Sequence, residues 1–179
     1  MMPTRGSRLE SFRKHKDDYY GSNPDSPIEP EDRVNFAGLR YFPEDEALRF
    51  ELPLDTSGPG IGETLVLDTS AGETKTFKRA GRITCEIGGT PVTLSVLTDA
   101  SGSGYFLPFT DITNGQETYS RGRFLDPTTR PNGDLVVDFN FAYNPYCAYG
   151  EGWSCAIPPA ENRLNVAVRA GEMQFPRKG

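Results

Sequence analysis

The sequence has one histidine, one tryptophan and three cysteines in 179 residues, and each scarcity removes a class of chemistry. His15 stands between Lys14 and Lys16 on what reads as a solvent-facing helix, so a His-dependent nucleophilic triad is poorly supported. Cys85, Cys147 and Cys155 are odd in number, and the spacing of the last two does not match paired Cys-x-x-Cys ligation, so no metal site is expected. No run of about 18 apolar residues occurs, which argues against a membrane-spanning helix. The opening residues from Met1 to Arg8 lead into charge, not into an apolar export leader. A cytoplasmic location is therefore expected, with reduced thiols, although a local Cys147–Cys155 disulfide is geometrically allowed. Positive charge is short as well: 19 Lys and Arg face 25 Asp and Glu, for a net charge of −6. Such a chain repels a phosphate backbone at long range, so nucleic acid is not an expected partner. The glycine-rich stretch at 58–62 lacks the Lys-Ser/Thr ending of a phosphate loop; it reads as a turn, and no cofactor is expected.

Apolar residues make up only 36% of the chain, but 11 Phe and 8 Tyr supply the large side chains that fill one interior. The chain divides into a helix with its linker at 1–32 and a single β domain at 33–179. Leu9, Phe12 and Tyr19 or Tyr20 recur at roughly helical spacing, which predicts a helix over 5–20. From Leu48 the period becomes two, and Leu48, Phe50, Leu52 and Leu54 alternate with Arg49, Glu51 and Pro53. Short strands are also predicted at 63–69, 74–78, 105–109, 121–125, 135–141 and 164–169. The clearest hairpin joins 83–87 to 90–96 through Gly88-Gly89. A two-residue loop there pairs Ile87 with Thr90, Cys85 with Val92 and Ile83 with Leu94, which places Cys85 in the core. The pattern is all-β, an antiparallel barrel or barrel-like sandwich, with one N-terminal helix and a long capping loop at 143–163.

The polar residues collect late in the chain. On a strand at 135–141, Asp138 and Asn140 share one face, and Tyr143, Asn144, Glu161, Asn162 and Arg163 follow. Such groups, if they point inward, must bond one another, a water or a ligand. One reading is a self-satisfied network anchoring the long loop. The other is a pocket in which Arg163 holds a carboxylate or phosphate and Asp138 or Glu161 acts as acid, base or acceptor. A second cluster holds Asp111, Glu117, Tyr119, Arg121 and Arg123, the last three sharing a face by alternation; an exposed strand face accounts for it as well as a pocket does.

Several stretches resemble a known family. Pro108-Phe109-Thr110-Asp111, Gly122-Arg123-Phe124-Leu125-Asp126, the run from Asp138 to Tyr149, Pro158-Pro159-Ala160-Glu161-Asn162-Arg163-Leu164 and Val168-Arg169-Ala170-Gly171-Glu172 are similar to the hallmarks of the bacterial and archaeal domain of unknown function 1684 family. Phe36-Ala37-Gly38-Leu39-Arg40-Tyr41-Phe42-Pro43 is similar to its opening motif. The resemblance implies a compact, mainly β domain and carries no established activity. Its matching charged positions are Asp111, Glu117, Arg123, Asp138, Glu161, Arg163, Arg169 and Glu172.

Three functional readings follow. The first is a small polar or anionic ligand held by Asp138, Asn140, Tyr143, Asn144, Glu161, Asn162 and Arg163, with Tyr119 and Arg123 from the second cluster. The second is a hydrolase or isomerase with Asp138 or Glu161 as base and Tyr119 or Tyr143 as proton donor. The third is an interaction module, a homodimer included, anchored by Tyr143, Tyr146, Tyr149 and Trp153.

Overall fold

The N-terminal helix forms where its spacing predicts. α1 spans Arg5–Ser22 in a computed structural model that describes residues 5–177. Residues 1–4 and 178–179, the outer ends of the two expected units, lie outside the described residues. Leu9 and Tyr20 are buried, so α1 lays one face on the β body. Asp17 fixes its angle, accepting from the Leu39 amide and the Tyr41 hydroxyl, both at 3.0 Å. A single turn, α2 (Pro30–Arg33), starts with the proline that suits a first helical position. Among the described residues no helix is long and apolar enough to cross a membrane.

Eight strands follow: β1 (Arg49–Leu52), β2 (Thr64–Asp68), β3 (Thr74–Ile87), β4 (Thr90–Thr98), β5 (Tyr105–Phe109), β6 (Arg123–Leu125), β7 (Thr128–Thr129) and β8 (Leu135–Asp138). They build two antiparallel sheets, one in the order β2-β3-β4-β5-β6 and one in the order β1-β8-β7. The larger sheet curls into half a barrel, so the fold is the mainly β one the sequence predicts. The β3–β4 hairpin has the expected register, with Ile87 opposite Thr90, Cys85 opposite Val92 and Ile83 opposite Leu94. Their inward side chains meet Leu107, Phe109, Leu135, Val137 and Phe139 in the main core.

β3 is one 14-residue strand where the sequence suggests two, because a bulge between Arg79 and Gly81 bends it without ending it. A side chain at Gly81 would meet Leu54 at 2.6 Å and the Asp55 carbonyl at 2.7 Å. That close approach lets Asp55 and Arg82 exchange backbone bonds of 2.8 and 2.9 Å, linking the segment after β1 to the larger sheet.

Three other expectations are corrected. β8 stops at Asp138, not 141, because the Asp138 carboxylate accepts the Asn140 amide at 3.0 Å and caps a 3-10 turn over Phe139–Phe141. Asp138 and Asn140 therefore do not share a strand face. β6 starts at Arg123, so alternation does not extend back to Tyr119: Arg123 is buried and Arg121 exposed. The strand predicted at 164–169 is absent from the described strands. Its first half makes isolated backbone bonds to the segment after β5: the Leu164 amide donates to the Thr110 carbonyl at 2.8 Å, and the Val166 carbonyl accepts from the Ile112 amide at 3.2 Å. At Val168 the partners become side chains: the carbonyl accepts from Arg123 and the amide donates to Asp111, both at 2.7 Å. The 143–163 loop caps the structure as expected. It crosses the edge of β2, where Thr69 bridges Ala156 and the Ser70 amide donates to the Cys155 carbonyl at 3.0 Å.

Candidate functional site

Three of the expected ligand-binding residues are amides whose groups the fold itself uses. Asn140, in the middle of its 3-10 turn, grips Asp45 from both sides, accepting its amide and donating to its carbonyl at 2.9 Å each, and also donates to Asp138 at 2.8 Å. Asn162 does the same between strands: it accepts the Ser95 amide at 2.8 Å and donates to the Ser95 and Pro108 carbonyls at 2.9 and 2.8 Å. It thereby stitches β4 and β5 to the end of the capping loop. Asn144 donates its backbone amide to Glu172 at 2.8 Å and its side-chain amide to the Met173 carbonyl at 3.0 Å. Each of these side chains is buried, and each replaces a missing stretch of ladder.

Arg123 is fully buried and acts as a cross-link. Its guanidinium donates to the carbonyls of Val168 at 2.7 Å, Glu172 at 3.2 Å and Ala170, and lies 3.6 Å from Asp111. Burial lowers its pKa while Asp111 opposes that shift. Gly122 makes the approach feasible: its φ of +94° suits glycine, and a Cβ there would collide with the Phe109 carbonyl. Glu172, which matches the family pattern but was not singled out as a site residue, is the second buried centre. Its carboxylate takes the Lys16 ammonium, the Tyr149 hydroxyl and the Asn144 amide. Nothing in its sequence neighbourhood, Ala170-Gly171-Glu172-Met173, distinguishes it from a surface glutamate.

Glu161 and Arg163 flank buried Asn162 and are themselves exposed. Glu161 forms a two-pronged pair with Arg79, at 3.0 Å to Nε and 2.7 Å to Nη2, and accepts from the Ser95 hydroxyl. The Arg79 pair is the main reason its pKa lies below the ordinary value of 4.5, which makes it a weaker base. Because the folded-state pKa is depressed, the contribution to stability is present above about pH 4.5 and is lost as pH falls through the lower folded value. Glu161→Gln is expected to be slightly less stable than the native protein at pH 7, with the gap closing below pH 4. Urea titrations at both pH values check this, and a constant gap would assign the loss to packing.

Of the expected residues, Asp138 and Tyr143 line one cavity, and Tyr143 and Asn144 line a second. The first pocket, of about 530 Å³, lies between α1, β8 and the β6–β7 connection. Phe12, Leu125, Val137 and Phe141 give it an apolar wall, with Phe12 packed edge-on against Phe141 at 5.1 Å between ring centres. Arg8, Arg49, Asp126 and Asp138 supply charge of both signs. Arg49 bonds Glu51 at 2.9 Å and lies 3.9 Å from Asp138. The Tyr143 hydroxyl donates to Asp126 at 2.9 Å, and burial, then that carboxylate, raises its pKa, so it is a weak proton donor.

Tyr119 lies elsewhere, half-buried beside Cys147. The aromatic loop is not exposed as a set: Tyr149 is buried and Tyr143 half-buried, while Tyr146 and Trp153 reach the surface with rings 4.9 Å apart. They border the second cavity, a cleft of about 550 Å³ walled by Phe77, Phe106, Tyr143 and Cys155.

A search of curated proteins found no match. Among solved structures, the chain is similar to the solution NMR structure of an uncharacterized protein of Haloarcula marismortui, with 33% identity and a TM-score of 0.69 over 94% of this chain and 93% of that one. The family model described as protein of unknown function (DUF1684) matches residues 34–173. That match spans the half-barrel, the capping loop and both buried charge centres, and the chain belongs to the DUF1684 family of proteins of unknown function.

Proposed function

We propose that the protein binds a small molecule with an apolar body and a polar or anionic end in the pocket lined by Asp138 and Tyr143. The observation that supports this most is the pairing of one apolar wall, Phe12, Leu125 and Phe141, with the convergent polar groups of Arg8, Arg49, Asp126 and Asp138. Arg49 is the anion-facing group, since Arg163, the residue favoured from sequence, does not line this cavity. Asn140 serves the pocket indirectly: it holds Asp138 and the turn that carries Phe141.

An anilinonaphthalenesulfonate dye, an apolar ring system with one anionic group, is a suitable probe. The native protein is expected to bind one dye with micromolar affinity. Arg49→Ala is expected to weaken binding about tenfold, the loss of one charge-assisted hydrogen bond of about 1.5 kcal/mol. Thr128→Trp, an exposed substitution at the pocket lining, is expected to abolish it. Equal dye binding by native and Thr128→Trp protein of equal Tm overturns the assignment.

A further inference from the structure

Cys147 and Cys155 lie apart from that pocket. Both are free thiols and half-buried, on the capping loop where it crosses the turn after β2. Ser70, in that turn, touches both: its Oγ lies 3.3 Å from Cys147 Sγ and accepts the Cys155 amide at 3.1 Å. Its one proton serves Cys147 Sγ or the Trp153 carbonyl, 3.2 Å away. The Cys155 thiol and the Tyr119 hydroxyl are the other neighbouring groups that stabilise charge on Cys147 Sγ. Several donors therefore converge on one sulfur, and they favour its anion. The Cys155 contact is the largest cause holding Cys147 down to about 6, and the same contact pushes Cys155 up. Cys85 shows what a packing cysteine looks like here: it sits in the core, and burial alone raises its pKa to about 11.

A thiolate in contact with a protonated thiol is the pairing that disulfide exchange requires, one sulfur to attack and one to resolve. Cys155 lines the second cleft and Cys147 adjoins it through its neighbour Tyr146; the rim is Tyr146 and Trp153, the wall includes Phe77 and Phe106, and the edge carries Lys75. Its volume of about 550 Å³ suits a small organic molecule.

We propose that Cys147 and Cys155 form a redox-active dithiol, oxidised by a low-molecular-weight disulfide that docks in the aromatic cleft. The Cys147 thiolate attacks one sulfur of the disulfide. The new bond forms as the old sulfur–sulfur bond breaks, and the departing thiolate takes a proton from water. Cys155 then attacks Cys147 Sγ, closing the internal disulfide; the second thiolate leaves and takes up the Cys155 proton. Two electrons pass from the protein dithiol to the disulfide, which becomes two thiols. Reduction by excess small thiol reverses both steps.

The full chain is equilibrated with oxidised and reduced glutathione, quenched with iodoacetamide and weighed intact and as peptides. The expected result is a Cys147–Cys155 disulfide, seen as loss of two hydrogens, reversed by dithiothreitol and leaving Cys85 unpaired. Cys155→Ser is expected to trap one glutathionyl group on Cys147, whereas Cys147→Ser carries at least tenfold less on Cys155. In the native protein, alkylation of Cys147 is expected to have its pH midpoint near 6. At pH 6 its rate should exceed that of a peptide thiol about tenfold, the larger thiolate fraction outweighing its lower nucleophilicity. Trp153→Ala should slow glutathione exchange and leave alkylation unchanged. No internal disulfide at any glutathione ratio, or glutathionylation favouring Cys155, overturns the proposal.

Discussion

Arg123→Leu is expected to lower the unfolding free energy by at least about 4 kcal/mol and Tm by roughly 10 °C, the largest loss from any single substitution considered. Arg123 has no solvent exposure, so its removal admits no water to replace it. Two penalties follow. Asp111 loses its cation while fully buried, and breaking a buried pair typically costs about 3–5 kcal/mol. The carbonyls of Val168, Ala170 and Glu172 also lose their donors, in a segment that has no strand partner to supply others. Arg123→Lys keeps the charge but offers a single nitrogen where two guanidinium nitrogens now span three carbonyls, so it should recover only part of the loss. Arg123→Met with Asp111→Asn, which keeps an acceptor for the Val168 amide, separates the penalties. It removes the uncompensated charge but not the orphaned carbonyls, and should be more stable than Arg123→Leu yet less stable than the native protein. Urea denaturation decides the matter: a loss below about 1 kcal/mol for Arg123→Leu would mean that 164–172 is held by packing and its backbone bonds to Thr110, Ile112, Phe42 and Ala142, without need of the guanidinium.

The same residue shows why part of the structure could be read from sequence and part could not. The β3–β4 register was legible because a Gly-Gly loop and strict alternation are local, and both are satisfied by neighbours within a few residues. The helix was legible for the same reason. The strand predicted at 164–169 failed because its alternation, Leu164, Val166, Val168, is real but its backbone bonds are divided between isolated partners at Thr110 and Ile112 and, at Val168, the side chains of Arg123 and Asp111, all more than forty positions away. β8 failed at its end because an aspartate, one residue ahead of Phe139, offers the backbone a capping bond that competes with the ladder. The polar cluster late in the chain was legible as a cluster, and its division was not. Asn140, Asn144 and Asn162 bind backbone; Asp138 and Tyr143 reach the first pocket, and Asn144 borders the second cleft. An Asn that staples two strands and an Asn that binds a ligand have the same sequence appearance, since the difference lies in what the fold brings opposite. Arg49 and Phe12, which the pocket adds, were hidden by the reverse effect: α1 and β1 look like ordinary surface elements until the fold sets them around one cavity.

Glu172→Gln is expected to cost about 3 kcal/mol and to loosen α1 from the β body. The Glu172 carboxylate takes three donors, the Lys16 ammonium, the Tyr149 hydroxyl and the Asn144 amide, and its side chain is only 2% exposed. A glutamine has one oxygen and one NH₂ group, so at least one donor must face another donor, and the Lys16 charge loses its counterion. Lys16 is itself only 12% exposed. It lies 5.2 Å from the ring centres of both Tyr20 and Tyr143, which soften that loss without cancelling it. Lys16→Met leaves the opposite defect, a buried carboxylate with two neutral donors. The pair Lys16→Met with Glu172→Gln removes both charges, so a double-mutant cycle should give a coupling of at least about 1.5 kcal/mol. Hydrogen exchange supplies the structural readout. Amides of α1 should exchange faster in each single variant, because Lys16 tethers the helix to a residue 156 positions away in sequence. Additive losses with unchanged α1 exchange would mean that the burial of Leu9 and Tyr20 and the bonds to Asp17 hold the helix in place without an ionic lock at Glu172.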